Sequence, residues 1–283
     1  MDKIEILNLI PKFLDFYTLA SQDTIDEEKR WEQWKEHYNF AAVPPGEEGR
    51  QLAKELLRSA WPKYEKKIEY IINWEPNLQI IETYLEEVKE LLNCKENINI
   101  TIVYFVGAFD ENPFVTPTDG GGIALCLPIE NGTSESSIMI AHELTHIVHA
   151  KTANLSTSWE RTIGSTILQE GLATQVSKYI VPGHTDEYYI ERNEGWFSSC
   201  QNVREKILTG IYPYLHKSSP EYIMKFTFGK GTTNHDREAY FAGWEIVRIL
   251  LENGKTFSEI ASIQENEIPA YLECLYKETS VFK

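Results

Sequence analysis

The chain has 283 residues, 42% of them hydrophobic and 25% charged, which is the balance of a folded globular protein rather than a disordered one. A formal net charge of −16, with no Lys/Arg-rich block to offset it locally, repels phosphate backbones and argues against a nucleic-acid partner. No apolar run approaches the roughly 20 residues needed to span a bilayer, and the opening MDKIEILNLIPKFLDF lacks the basic and unbroken apolar regions of a secretory signal, so no membrane partner and a cytoplasmic location are expected.

The first ~95 residues read as helical, with Thr24-Ile25-Asp26-Glu27 in the form of a capping box. Leu78, Ile81, Leu85, Val88 and Leu92 recur at three- and four-residue spacing and predict an amphipathic helix. Val43-Pro44-Pro45-Gly46 cannot continue a helix and marks a loop. The pattern changes at Asn97: Ile98, Ile100 and Ile102 alternate and run into Val103-Tyr104-Phe105-Val106, and a second apolar run spans Gly122 to Leu127. Two or three strands are predicted here. From Ser134 the chain returns to helix, near 134–152, 160–180, 201–217, 237–253 and 268–278. The expectation is an α+β fold, mostly α, with a helical N-terminal region over 1–95 and a catalytic region over 96–283. Cys94, Cys126, Cys200 and Cys274 are scattered without CxxC spacing and read as reduced thiols. The sequons at Asn131 and Asn154 carry little meaning in a cytoplasmic protein.

One segment carries chemistry. In His142-Glu143-Leu144-Thr145-His146 the two histidines stand four apart, on one face of a helix, where both imidazoles can reach a single metal ion. Glu143 projects beside them, placed to take a proton from a water molecule that Zn²⁺ acidifies from pKa 15.7 toward about 7. Ile138, Met139, Ile140, Ala141, Leu144, Ile147 and Val148 make the surrounding helix apolar, so these polar groups would be buried at a cost that a metal relieves. Catalytic zinc takes three protein ligands, and the carboxylate of Glu170, in Ile167-Leu168-Gln169-Glu170-Gly171-Leu172-Ala173-Thr174, is the candidate third, with Glu160 as the alternative. Gly171 inside that helix costs about 1 kcal/mol relative to alanine, which makes sense if it permits close approach to the first zinc helix. His149, near the same face as His142, reads as a helix-end polar group, an outer partner or an extra ligand.

At His142-Glu143-x-x-His146 and Glu170-Gly171-Leu172-Ala173 the sequence resembles the gluzincin metallopeptidases, the group of thermolysin and the zinc aminopeptidases, and certain uncharacterised bacterial predicted zinc-dependent proteases. The resemblance covers about residues 95–255 and is specific in the two zinc helices. It implies a thermolysin-like zincin core, Zn²⁺ held by His142, His146 and Glu170, Glu143 as general base, and a peptide or protein substrate. The gap of 23 residues between His146 and Glu170 is longer than is usual in that group, no GxMEN exopeptidase element is present, and no HxxGxxH continuation supports a metzincin. The group also uses a Tyr or His to stabilise the oxyanion, which points to Tyr240, with His235 as runner-up. The short strand 123–127 after the Thr116–Gly122 turn corresponds to the sheet edge that pairs with substrate in that group, although it also reads as an ordinary hairpin strand. Two other functions stay open at this point: a zinc-bearing binding or regulatory protein without turnover, and a hydrolase of a non-peptide amide or ester.

Overall fold

The computed structural model describes residues 2–44, 46–109, 113–118, 122–130, 133–156, 160–191 and 193–278. The elements run β1 (Lys3–Asn8), α1 (Ile10–Ala20), α2 (Glu27–His37), α3 (Glu47–Ile72), α4 (Leu78–Leu91), β2 (Asn99–Phe105), β3 (Phe114–Pro117) and β4 (Ile123–Pro128). They continue with α5 (Thr133–Thr152), α6 (Ile163–Ile180), α7 (Asp186–Ile190), α8 (Trp196–Asn202), α9 (Arg204–Ile211), α10 (Pro220–Thr227), α11 (Glu238–Glu252), α12 (Phe257–Ala261) and α13 (Ile268–Glu278). The fold is α+β and mostly helical. It divides into two compact units, one of Met1–Glu82 with Asn97–Glu143 and one of Thr83–Glu96 with Leu144–Lys283. Among the described residues no helix is long and apolar enough to cross a membrane.

The first unit holds one sheet in the order β1-β2-β4-β3, with β1–β2 and β2–β4 parallel and β3–β4 antiparallel. Lys3–Asn8 is therefore a strand where helix was expected. Its alternating exposure is that of a half-buried edge, but the partner that selects strand, Asn99–Tyr104, lies more than ninety residues away in sequence. Such a crossover is what parallel pairing requires. β4 lies inside the sheet, buried from Ala124 onward, which explains its unbroken apolar run. It is thus not the edge expected for 123–127; the edges are β1 and β3, because β3 folds back along the outer side of β4. Asp119, Gly120 and Gly121 of the expected turn lie outside the described residues.

Helix α2 is capped by Asp26, whose carboxylate accepts from the Lys29 amide at 2.9 Å, rather than by Thr24. A capping box does occur at α12, between Thr256 and Glu259. The end of β2 is fixed by two buried tyrosines: the Tyr38 hydroxyl donates to the Val106 carbonyl and accepts from its amide, and Tyr64 donates to Gly107. Both rings pack edge-on against Phe13, so the polar tips are satisfied while the aromatic bodies fill the core.

In the second unit α6 is the central element, with every residue from Ile163 to Ser177 buried. Thr162 caps it by accepting from the Ser165 amide. Helices α6 and α11 cross at Gly171 and Gly243, where a Cβ on Gly171 would collide with the Gly243 carbonyl and one on Gly243 with the Ile167 carbonyl. The close approach that Gly171 permits is therefore to α11, not to the helix bearing the two histidines. Helix α11 is tied down further by buried Glu245, which accepts from Gln201, Arg204 and Arg248. Pairing to both guanidiniums holds its carboxyl below the usual range despite burial. Cys94, Cys126, Cys200 and Cys274 are free thiols.

Candidate metal centre

Helix α5 runs unbroken through His142, Glu143 and His146, and Ile138, Ile140, Ala141, Leu144, Ile147 and Val148 are buried around them. The two imidazoles sit one turn apart and half-buried, as the four-residue spacing requires. Glu170 lies on α6 with its carboxylate buried, and its Oε2 is 3.4 Å from His146 Nε2. One ligand atom from each of His142, His146 and Glu170 lies within 4.8 Å of the others.

Two imidazoles and a carboxylate form a donor set that zinc takes, and a tetrahedral site with bonds of about 2.1 Å has edges of about 3.4 Å. His146 Nε2 and Glu170 Oε2 stand 3.4 Å apart, and the chemistry of the donor set, two imidazoles and a buried carboxylate, is what fits zinc. Glu143 is half-buried beside His142. Glu160, the alternative third ligand, is exposed and is not among the converging groups.

The other oxygen of Glu170 is engaged. Arg161 Nη2 donates to Glu170 Oε1 at 2.8 Å, Nη1 donates to Gln169 Oε1 at 2.8 Å, and Nε donates to Thr166 Oγ1 at 3.3 Å. Gln169 in turn donates to Ser165 Oγ at 2.7 Å. Sequence reasoning missed Arg161. It stands one residue before the N-cap of α6, in a stretch without periodicity, and only its reach along the first turns of the helix reveals a role.

Tyr240 lies at the start of α11, and the negative charge of Glu170, reinforced by burial, pushes its hydroxyl up to about 12. Arg237 and Arg161 act in the opposite direction. The Arg237 guanidinium stacks over the Tyr240 ring, 4.0 Å from its centre, and its backbone is left-handed at φ 54°. His235 sits in the loop before α11, where its ring nitrogens contact Ser199 Oγ at 2.8 Å and Thr233 Oγ1 at 2.9 Å. That loop is organised by fully buried Glu238, which accepts from the amides and hydroxyls of Thr232 and Thr233.

His149 is 0% exposed, and neither ring nitrogen has a hydrogen-bond partner among the described residues. Burial first, then His146 and Arg161, lowers its pKa to about 3. It is therefore neutral, and the expected charge–dipole role at the helix end does not apply.

A family model described as "Predicted Zn-dependent protease (DUF2268)" matches residues 79–270, more than half of the chain. No curated protein and no solved structure gives a significant match.

Proposed function

The chain belongs to this family of predicted Zn-dependent proteases, and on that premise we propose a gluzincin-like zinc peptidase that cleaves peptide bonds with Glu143 as general base. The observation that carries the reading is the convergence of His142, His146 and Glu170, ligand atoms within 4.8 Å, with Glu143 next to His142 in the sequence of α5. When bound there, Zn²⁺ supplies a Lewis acid and lowers the pKa of water toward about 7.

Glu143 accepts a proton from the attacking water and returns it to the leaving amine, which is the work of a single carboxylate with access to both. His142 and His146 serve as ligands through imidazole nitrogen lone pairs, and Glu170 contributes the one negative charge of the ligand set. Tyr240 donates to the carbonyl oxygen as negative charge develops on it. A tyrosine hydroxyl ordinarily titrates at about 10, so it keeps its proton at neutral pH and remains a donor. His235 is the weaker candidate, because its ring is engaged by Ser199 and Thr233. Three converging protein ligands among the described residues, together with Glu143 as a base, favour turnover over a purely structural metal.

Elemental analysis of gently purified protein should give one zinc per chain, and peptide digestion should be lost on chelation. Glu143→Gln should abolish hydrolysis and retain zinc, whereas Glu170→Ala should lose zinc. A zinc-free parent, or a Glu143→Gln variant with undiminished turnover, would sink the reading.

A further inference from the structure

Resting on that reading, we propose that Arg161 is the positioning residue of the metal site, fixing the Glu170 carboxylate so that Oε1 is occupied and Oε2 is turned to His146. The two oxygens of Glu170 have different partners: Oε1 accepts from Arg161 Nη2 at 2.8 Å, and Oε2 lies 3.4 Å from His146 Nε2. An unrestrained glutamate rotates about three side-chain bonds and presents either oxygen or both. A guanidinium bonded to one oxygen selects a single rotamer and leaves the other as the donor atom.

Arg161 is itself held. Its fork spans Glu170 and Gln169 while Nε reaches Thr166, so all three of its nitrogens are committed to α6. Gln169 is locked by Ser165, and Gln169, Ser165 and Thr166 are all buried. The chain Ser165, Gln169, Arg161, Glu170 thus passes from the capped start of α6 to the metal ligand through protein groups alone. The flat, five-donor guanidinium suits this task; an ammonium could satisfy one carboxylate but not the paired geometry.

Electrostatics and positioning predict opposite signs. A cation 2.8 Å from a ligand carboxylate competes for its charge, so on charge alone its removal would tighten zinc. Loss of an outer-shell partner instead typically costs about 10–100-fold in metal affinity.

The test is zinc affinity by competition with a chromophoric chelator, alongside thermal melting of the metal-free protein. Arg161→Met should weaken zinc binding about 10–100-fold relative to the parent. Arg161→Lys, which keeps the charge and loses the fork, should fall between the two. Gln169→Met, which removes the acceptor of Arg161 Nη1, should weaken zinc to a smaller extent. An Arg161→Met variant that binds zinc as tightly as the parent or tighter overturns the proposal, even if its metal-free melting temperature falls, because the arginine would then serve stability alone. If Arg161→Met does not fold, unchanged affinity in Gln169→Met overturns it. A parent that binds no zinc removes both this inference and the functional reading, whereas a parent that binds zinc without peptidase activity removes only the latter.

Discussion

Along α3 the buried positions are Gly49, Ala53, Leu57, Ala60, Tyr64 and Ile71, recurring at three-, four- and seven-residue intervals, with charged side chains between them. Along α6 every position from Ile163 to Ser177 is buried, and Ser165, Thr166, Gln169, Glu170, Thr174, Gln175 and Ser177 are polar. The first pattern is that of a helix with one face in the core and the rest in water. In the second, polar side chains have lost water on all sides and must find partners. Some do so within the helix neighbourhood: Thr174 bonds to the Glu170 carbonyl, Ser177 to the Thr174 carbonyl and Gln175 to the Trp244 carbonyl. Glu170 is shared between an arginine and the proposed metal. The difference teaches that a polar residue on a two-sided helix says little, whereas one on a helix buried all round marks where chemistry or its scaffolding sits.

That contrast can be broken. The largest expected effect belongs to the neighbourhood of α6: Tyr240→Phe should lower kcat by about 10²–10³, about 2.7–4 kcal/mol in the barrier, with zinc content and melting unchanged. Steady-state kinetics on a peptide substrate measures this. Near-parental activity there, with activity lost in His235→Ala, would move the oxyanion role to the loop before α11.

In α3 the expected cost is in folding alone. Leu57→Ala should destabilise by about 3 kcal/mol in urea unfolding while zinc per folded chain and kcat stay at parental values. A loss of zinc in that variant would erase the distinction between the two helices.

Gly171→Ala should cost about 1–3 kcal/mol, because the obstructing atoms are backbone and the helices must separate. It should also lower activity, since Tyr240 and Glu170 ride on the two helices that part. A variant as stable as the parent would show that the crossing tolerates a methyl group.

The smallest effect concerns pH. In the unfolded chain His149 titrates near its ordinary 6.5, while in the fold its pKa is about 3. Between those values the unfolded state binds the proton and the folded state does not, so its contribution to stability is full above 6.5 and falls as pH drops through that window. Metal-free protein should lose about 1 kcal/mol from this source between pH 7 and 5.5, and His149→Leu should flatten that slope. Equal slopes in urea titrations of parent and variant would contradict it.

Much of this was legible in sequence where the signal is local. The four-residue spacing of His142 and His146 is a helical property, and Leu78 through Leu92 declare their helix by periodicity. Helices α5, α6, α11 and α13 lie close to their predicted spans. The strand at Lys3–Asn8 was not legible, because its identity depends on a partner far along the chain. Nor was the position of β4 inside the sheet, which is decided by where β3 folds back. The short helices α7, α10 and α12 carry too few residues to show a period. Arg161 and Glu238 were missed for a related reason: each acts by reaching across a turn, and no spacing rule encodes that reach. Gly171 was rightly singled out as a close-approach glycine, but sequence alone could not name the helix it approaches.

The glycine crossing has a consequence for motion. Where Gly171 meets Gly243 there are no side chains to change rotamer, so side-chain hops on the picosecond-to-nanosecond scale do not adjust that contact. The spacing between the two helix backbones, and with it the base from which Glu170 and Tyr240 reach toward each other, can change only by displacing a whole helix, a collective movement of microseconds or slower. Amide hydrogens around 167–171 and 242–244 should therefore exchange only in the slowest, most global opening events of the unit that contains them.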